Sequence, residues 1–252
     1  MTAPSLAGRV VVVTGASRGI GRATAAAFAE RGANVVMLAR REERQREEAR
    51  AIGENAVAIP ADVTDPASVG ALFAEVDARF GRVDVLVNNA GLARVRRLDE
   101  CDEDLVNLQV GTNFLGPIWC TRAAIPLLKK AGGGDVLNVT SESMLDPYPL
   151  LSLYASSKAG LATFSEAMNR ELRPDDIRVS LLVVGRTDTE FGIDWTDEDA
   201  ARGYAVWEEQ GFLKSGWGET KMAAADVAET IVFAVTRPRN QVLDVFRVRT
   251  RD

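Results

Sequence analysis

The chain has 252 residues, of which 46% are hydrophobic and 26% charged, a composition typical of a globular protein that needs no disulfide or metal crosslinks to fold. Its 36 acidic residues outnumber its 30 basic ones, and the net charge of −6 argues against a surface that binds nucleic acids or anionic membranes. Histidine is absent, which excludes triads and metal sites built on imidazole and leaves acid–base chemistry to tyrosine, lysine or carboxylates.

Short apolar segments rich in β-branched residues alternate with longer amphipathic segments along the chain. The predicted strands are residues 10–13, 35–38, 56–60, 83–87, 136–139, 179–184 and 242–248. The predicted helices are residues 19–31, 42–51, 66–80, 103–128, 152–172 and 224–235. The strands are nearly continuous apolar runs, as expected for a parallel sheet buried on both faces. This alternation predicts a doubly wound α/β fold, and the absence of repeats or a linker favours a single domain over residues 1–252.

A glycine-rich turn, Thr14-Gly-Ala-Ser-Arg-Gly-Ile-Gly21, connects the first predicted strand to the first predicted helix. Glycines at such a turn let the backbone approach a pyrophosphate, and the helix N-terminus supplies free N–H groups and a positive dipole end. The context therefore predicts a ligand-binding turn, with a turn that binds nothing as the alternative. The spacing Gly-x-x-x-Gly-x-Gly differs from the Gly-x-Gly-x-x-Gly of ordinary dinucleotide domains.

Two further motifs follow in order: Asn88-Asn89-Ala90-Gly91 after the fourth strand, and Tyr154-x-x-x-Lys158 in a predicted helix. Together with the glycine turn they resemble the short-chain dehydrogenase/reductase family across nearly the whole chain. The resemblance implies a Rossmann-like parallel sheet of about seven strands with helices on both faces. It also implies a nicotinamide cofactor and a homotetramer or homodimer.

The end of the second strand indicates which nicotinamide cofactor is used. Enzymes for NAD normally place a carboxylate there to accept the ribose 2′-hydroxyl, whereas this chain has Ala39 followed by Arg40. Arg40 can pair bidentately with a 2′-phosphate, and the resemblance directs Arg18 toward the same pocket. We therefore expect NADP(H); the alternative is that Arg40 and Arg41 merely begin a solvated helix. The resemblance assigns cofactor contacts to Gly15, Ser17, Arg18, Gly19, Ile20, Gly21, Arg40, Arg41, Asp62, Val63, Asn89, Ala90, Gly91, Tyr154, Lys158, Gly185, Thr187 and Thr189.

Tyr154 and Lys158 are four residues apart and share one face of a helix. A tyrosine has a pKa near 10, and a neighbouring ammonium favours the phenolate, so we expect Lys158 to lower the pKa of Tyr154. By resemblance Lys158 also holds the nicotinamide ribose, and Tyr154 exchanges a proton with the substrate oxygen.

Two further catalytic residues follow from the resemblance. Ser141, thirteen residues before the tyrosine, ends the fifth strand, where its hydroxyl would polarise the substrate carbonyl; Ser143 is the alternative. Asn113 would hold a water in a proton relay to the lysine, and a structural capping role is the alternative.

The stretch 186–221 lacks strong periodicity, which is typical of a functional lid or a disordered loop. It contains three of the four tryptophans, and residues 190–221 carry a net charge of −5. We expect a mobile lid that closes over a small, neutral or apolar substrate. The alternative is a static loop that the tryptophans anchor to the body of the protein.

The expected activity is that of an NADP(H)-dependent oxidoreductase (EC 1.1.1.-) that interconverts a carbonyl and a primary or secondary alcohol on a small molecule. The alternatives are a non-catalytic NADP(H)-binding sensor, and an isomerase or dehydratase in which reduction is one step. No metal, nucleic acid or membrane partner is expected. No apolar run approaches 18 residues, no signal-peptide pattern is present, and Cys101 and Cys120 have no redox spacing, so a cytoplasmic protein is expected.

Overall fold

The computed structural model describes residues 5–40, 42–213 and 220–251 and contains a seven-stranded parallel sheet in the order β3-β2-β1-β4-β5-β6-β9. The strands are β1 (Val10–Thr14), β2 (Asn34–Ala39), β3 (Ala56–Pro60), β4 (Val85–Asn88), β5 (Gly134–Ser141), β6 (Ile177–Val184) and β9 (Val245–Val248). A separate short pair joins β7 (Thr187–Asp188) to β8 (Met222–Ala223). The helices are α1 (Gly19–Ala29), α2 (Glu42–Ile52), α3 (Pro66–Phe80), α4 (Glu103–Val110), α5 (Gly116–Lys130), α6 (Ser152–Glu171), α7 (Asp197–Glu209) and α8 (Ala224–Val235).

Apolar side chains cover both faces of this sheet. In β1, Val11 and Val13 pack with α1 and α8, whereas Val10 and Val12 pack with α3 and α5 on the opposite face. The strands are therefore buried on both sides, and the prediction of a doubly wound, Rossmann-like single domain is confirmed. No helix among the described residues is long and apolar enough to cross a membrane.

The helix predicted over residues 103–128 is divided by a π-helical turn at Gly111–Leu115, between α4 and α5. The N–H of Gly116 donates to the carbonyl of Gly111, five residues earlier. Pro117 follows and has no N–H to donate to the carbonyl of Asn113, so the regular helical pattern cannot continue there. The turn thus places Asn113 at an irregularity in an otherwise continuous helix.

Two further differences from the predicted elements lie near the end of the chain, whereas the other bounds differ by only a few residues. The last strand begins at Val245 rather than at residue 242, because its ladder with β6 starts where Val245 pairs with Leu181. Helix α7 lies inside the stretch that lacked periodicity, and the Thr196 side chain caps it by accepting from the N–H of Asp199.

A buried ion pair secures the distal end of the sheet. Arg178 in β6 and Asp135 in β5 are each 6% exposed, and Nε of Arg178 donates to Oδ1 of Asp135 at 2.6 Å. The Arg178 guanidinium also donates to the carbonyl of Val235 at the end of α8 and to those of three residues between α8 and β9, namely Arg237, Pro238 and Gln241. This one side chain therefore joins the connection before β9 to the sheet.

Candidate active site

A cavity of about 980 Å³ lies along the carboxyl ends of the parallel strands, where open α/β sheets bind ligands. It is lined by most of the predicted site residues, namely Gly15, Ser17, Arg18, Gly19, Ile20, Arg40, Val63, Asn89, Ala90, Gly91, Ser141, Tyr154, Lys158, Gly185, Thr187 and Thr189. Gly21, Asp62 and Asn113 are not part of the lining, and Arg41 lies outside the described residues. A second, open cavity of about 810 Å³ contains none of the predicted residues.

The glycine turn is held against the segment that follows β4. Oγ1 of Thr14 accepts from the N–H groups of Asn89 and Ala90 at 3.0 and 2.9 Å, and Nδ2 of Asn89 donates to the Thr14 carbonyl at 3.0 Å. Gly15 has a φ of +65°, and a Cβ there would lie 2.8 Å from Cα of Ala90. A Cβ on Gly21 would collide with the carbonyl of Gly15. Gly21 therefore allows the close packing of the turn and does not line the cavity.

The turn fits the pyrophosphate of a dinucleotide. Helix α1 begins at Gly19 with no side-chain cap and no acidic residue in its first turn. Its N-terminal N–H groups and positive dipole end therefore face the cavity without a competing side-chain acceptor at the cap.

Arginines surround the end of β2. Ala39 presents no carboxylate there, and Arg18, Arg40 and Arg44 all line the adjacent part of the cavity. Sequence reasoning missed Arg44, although its position four residues after Arg40 was an available signal. Nη2 of Arg44 donates to both carboxylate oxygens of Glu190 at 2.8 and 3.1 Å.

Asp62 has a local structural role, and its predicted contact with the cofactor stays a prediction. Its Oδ1 accepts from the N–H and the hydroxyl of Thr64 at 2.9 and 2.8 Å, and these local bonds form the turn before α3. Its neighbour Val63 does line the cavity and can contact a flat apolar group.

Tyr154 and Lys158 lie on the first two turns of α6 and are both buried. Nζ of Lys158 donates to the carbonyl of Val139 at 2.9 Å and lies 6.0 Å from the centroid of the Tyr154 ring. Burial lowers the pKa of Lys158 to about 8. Burial also raises the pKa of Tyr154 to about 12, partly offset by a hydrogen bond with Ser141. The expectation of a lowered Tyr154 pKa is wrong for this structure, because desolvation of the phenolate is the largest effect on this group.

Ser141, rather than Ser143, is the serine beside the tyrosine. The Ser141 hydroxyl hydrogen-bonds Tyr154 and also accepts from the Ser143 N–H at 3.2 Å. The Ser143 side chain is buried, and its hydroxyl has no hydrogen-bond partner among the described residues. The geometry therefore brings the predicted pair Ser141 and Tyr154 together.

Asn113 is fully buried and clamps the segment after β4. Its Nδ2 donates to the carbonyl of Leu92 at 2.8 Å, and its Oδ1 accepts from the Leu92 N–H at 2.9 Å. A Cβ added to Gly91 would lie 3.3 Å from both Oδ1 of Asn113 and Nζ of Lys158. Asn113 thus stands close behind the lysine in a structural role, and the water relay stays a prediction.

The stretch 186–221 is packed against the body of the protein as far as the structure describes it; Trp217 lies outside the described residues. Nε1 of Trp195 donates to the carbonyl of Ala93 at 2.9 Å, and Nε1 of Trp207 donates to that of Pro149 at 2.7 Å. Tyr148, Tyr204 and Phe212 complete an aromatic cluster with them that lines one side of the cavity. These contacts support the anchoring alternative, and motion of the segment stays a prediction.

The acidic charge of this stretch mostly faces away from the cavity. Of its described acids only Glu190 and Asp194 belong to the lining, and the acids of α7 do not. Among the described residues that line the cavity, basic side chains outnumber acidic ones. The basic residues are Arg18, Arg40, Arg44, Lys158, Arg186, Lys221, Arg247, Arg249 and Arg251, and the acidic residues are Glu142, Asp146, Glu190 and Asp194. The charge argument for a neutral substrate is therefore not supported by the lining.

Comparisons with known proteins agree with this geometry. The family described as short chain dehydrogenase matches residues 9–200. A short chain dehydrogenase of Pseudocercospora fijiensis is 34% identical over 95% of this chain and 79% of its own length. Serine dehydrogenase in complex with NADP+ has 25% identity and a TM-score of 0.83 over 95% of this chain and 94% of that one. The 3-ketoacyl-(acyl-carrier-protein) reductase of Brucella melitensis, in complex with NADH, has 28% identity and a TM-score of 0.84 over 97% of this chain and 98% of that one.

Proposed function

The chain belongs to the short-chain dehydrogenase family, and we propose that within it the protein is an NADP(H)-dependent oxidoreductase that interconverts a carbonyl and an alcohol on a small molecule. One observation carries the proposal: a single cavity has Ser141, Tyr154 and Lys158 in its wall and arginines around Ala39 at the end of β2. The first group suits proton exchange with an oxygen, and the second suits an anion.

The choice of NADP(H) depends on this chain's own residues. Similar structures contain either NADP+ or NADH, so likeness to them does not select the cofactor. At position 39 the chain has alanine in place of the carboxylate that would bind a 2′-hydroxyl and repel a 2′-phosphate. Arg18, Arg40 and Arg44 supply the cations that such a phosphate requires.

When bound, NADPH supplies the hydride that reaches the carbonyl carbon. The hydroxyls of Ser141 and Tyr154 are hydrogen-bonded to each other in this structure, and when a carbonyl oxygen lies beside them both hydroxyls can turn to donate to it instead. With a pKa of about 12, Tyr154 holds its proton at neutral pH and can donate it as negative charge develops on that oxygen. The nearby Lys158, when charged, then stabilises the phenolate that Tyr154 becomes.

The aromatic cluster supports a substrate with an apolar portion. Trp195, Trp207 and Phe212 line the cavity together with Phe191, whose ring centroid lies 5.5 Å from that of Tyr154. Aromatic walls close to the proton donor suit an apolar group next to the carbonyl. We therefore propose a small aldehyde or ketone, or the corresponding alcohol.

A non-catalytic NADP(H) sensor would not require a hydrogen-bonded pair such as Ser141 and Tyr154, so this pair supports an enzyme. An isomerase or dehydratase would use the same residues and differs only in its product. We also propose that the protein is a homodimer or homotetramer that pairs through the helical faces of α4–α5 and α6, as in the family it resembles.

A panel of aldehydes, ketones and oxo acids tests the proposal by the loss of NADPH absorbance, with product identification. Wild-type protein is expected to oxidise NADPH with some of these compounds and to form the alcohol, whereas Tyr154→Phe should bind NADPH but not turn over. Cofactor binding without oxidation across the whole panel would favour the sensor. A product with no net change in oxidation state would favour an isomerase.

A further inference from the structure

We infer that Glu190 is an internal anion that fills the 2′-phosphate site, and that Arg44 and Glu190 together set how strongly the protein prefers a phosphorylated cofactor. The inference rests on the proposed preference for NADP(H) and deepens it. It concerns two residues that neither the glycine turn nor the catalytic motif includes.

Glu190 bridges two of the three arginines of the site. Its carboxylate accepts from Nη2 of Arg44 at 2.8 and 3.1 Å, and its Oε2 lies 3.8 Å from Nη1 of Arg18. All three residues line the same cavity as Ala39 and Arg40. A carboxylate therefore lies among the cations that a ribose 2′-phosphate would contact.

The bridge is weak enough for a ligand to displace. Glu190 is 40% exposed and Arg44 is 35% exposed, and an exposed ion pair of this kind contributes little because water and salt screen it. A phosphate monoester carries about −1.5 to −2 charges and three acceptor oxygens, so it competes well with one carboxylate for the same arginines. Binding of the 2′-phosphate should thus release Glu190.

A movement of Glu190 would be transmitted to the Tyr154 ring through the next residue in the chain. The next residue is Phe191, whose ring packs against that of Tyr154 with 5.5 Å between centroids. Asp194, four residues after Glu190, adds a contact of 3.6 Å with Arg18 and one of 3.7 Å with Arg94. A 2′-phosphate that frees Glu190 should therefore also shift Phe191 over Tyr154.

Calorimetric titration with 2′,5′-ADP and with 5′-AMP tests the inference, because these ligands differ only in the 2′-phosphate. Glu190→Gln is expected to bind 2′,5′-ADP about two- to fivefold more tightly than wild type, since an exposed ion pair of this strength no longer competes. Its affinity for 5′-AMP should change less than twofold on the same basis. Arg44→Ala should weaken 2′,5′-ADP binding selectively.

Glu229→Gln is the matched control, because it removes the same charge and breaks a bidentate pair with Arg31 away from the cavity. It should not change either affinity. Acrylamide quenching of tryptophan fluorescence gives a second readout: 2′,5′-ADP, but not 5′-AMP, should change it in wild type. The response should be smaller in Glu190→Gln, where the segment is already released.

The outcomes separate this inference from the proposed function. If wild type prefers 2′,5′-ADP but Glu190→Gln leaves that preference unchanged or weaker, the role of Glu190 is wrong and the NADP(H) preference stands. If wild type does not discriminate but Glu190→Gln does, Glu190 is the competitor inferred here and the wild-type preference is wrong. If neither protein discriminates, both statements are overturned.

Discussion

Replacement of the buried Lys158 by methionine should stabilise the protein at neutral pH while abolishing turnover. Nζ of Lys158 is charged below a pKa of about 8, against an ordinary value of 10.5, because burial disfavours the ammonium. That difference corresponds to a cost in folding free energy of about 3 kcal/mol at pH 7. The substitution also leaves the Val139 carbonyl without its donor, a loss of about 1 kcal/mol, so the net gain is about 2 kcal/mol.

The pH dependence identifies the cause. Between the folded pKa of about 8 and the unfolded value of 10.5, the unfolded chain holds the lysine proton and the folded protein does not. Wild-type stability therefore rises with pH in this window, and the cost of burying the lysine falls to about 1 kcal/mol at pH 9.5. The advantage of Lys158→Met should thus shrink by about 2 kcal/mol between pH 7 and pH 9.5. Tyr154 does not disturb the comparison, because both proteins retain it.

Urea unfolding of both proteins at equal concentration, at the two pH values, measures this change. Lys129→Met is the control, since Lys129 lies on the surface of α5 with half its side chain exposed, and its effect should not follow the same pH course. If the stability difference between Lys158→Met and wild type is the same at both pH values, the ammonium is not penalised by burial and the reasoning fails.

Four further expectations follow from the site and the fold. Tyr154→Phe should lower kcat by about 10²- to 10⁴-fold with little change in NADPH affinity, as stopped-flow and binding assays would show; retained turnover would mean that another group carries the proton. Ala39→Asp should shift the ratio of kcat/KM toward NADH, because the new carboxylate repels a 2′-phosphate, and an unchanged ratio would contradict the assigned site. Arg178→Ala should lower the free energy of unfolding by about 3–5 kcal/mol, because it removes the bonds to the carbonyls before β9 and leaves the buried Asp135 carboxylate with only the longer contact to Arg239, and a loss below 1 kcal/mol would refute this. Light scattering at micromolar concentration should give the mass of a dimer or tetramer rather than that of a monomer.

The sheet and the main site residues could be predicted because their signals are local. Continuous apolar runs mark buried parallel strands, and the glycine turn and the Tyr154 and Lys158 pair each lie within a few residues. The π-helical turn was harder to predict, because only the proline at position 117 distinguishes it from a regular helix. Helix α7 had a local signal, the capping Thr196 with acids after it, but weak apolar periodicity concealed it.

Features that depend on distant contacts could not be predicted from the sequence. Glu190 lies 146 positions from Arg44, and no pattern in the chain indicates that they meet. Burial raises the pKa of Tyr154, whereas the spacing to Lys158 predicts a lowered value. The spacing is visible in the sequence, but the burial is not. Charge totals for the lid were similarly misleading, because they do not say which acids face the cavity.

The position of β9, at the edge of the sheet and late in the chain, has a consequence for synthesis of the protein. Val184 and Val248 pair at the ends of β6 and β9, and the arginines at positions 247 and 249 reach the cavity from this last strand. A ribosome makes the glycine turn and the catalytic pair long before it makes β9. The nascent chain can therefore assemble most of the sheet while the edge of β6 is still uncovered, and the cavity gains its final wall only after β9 leaves the exit tunnel. Activity should consequently appear late, after the sheet edge has been closed.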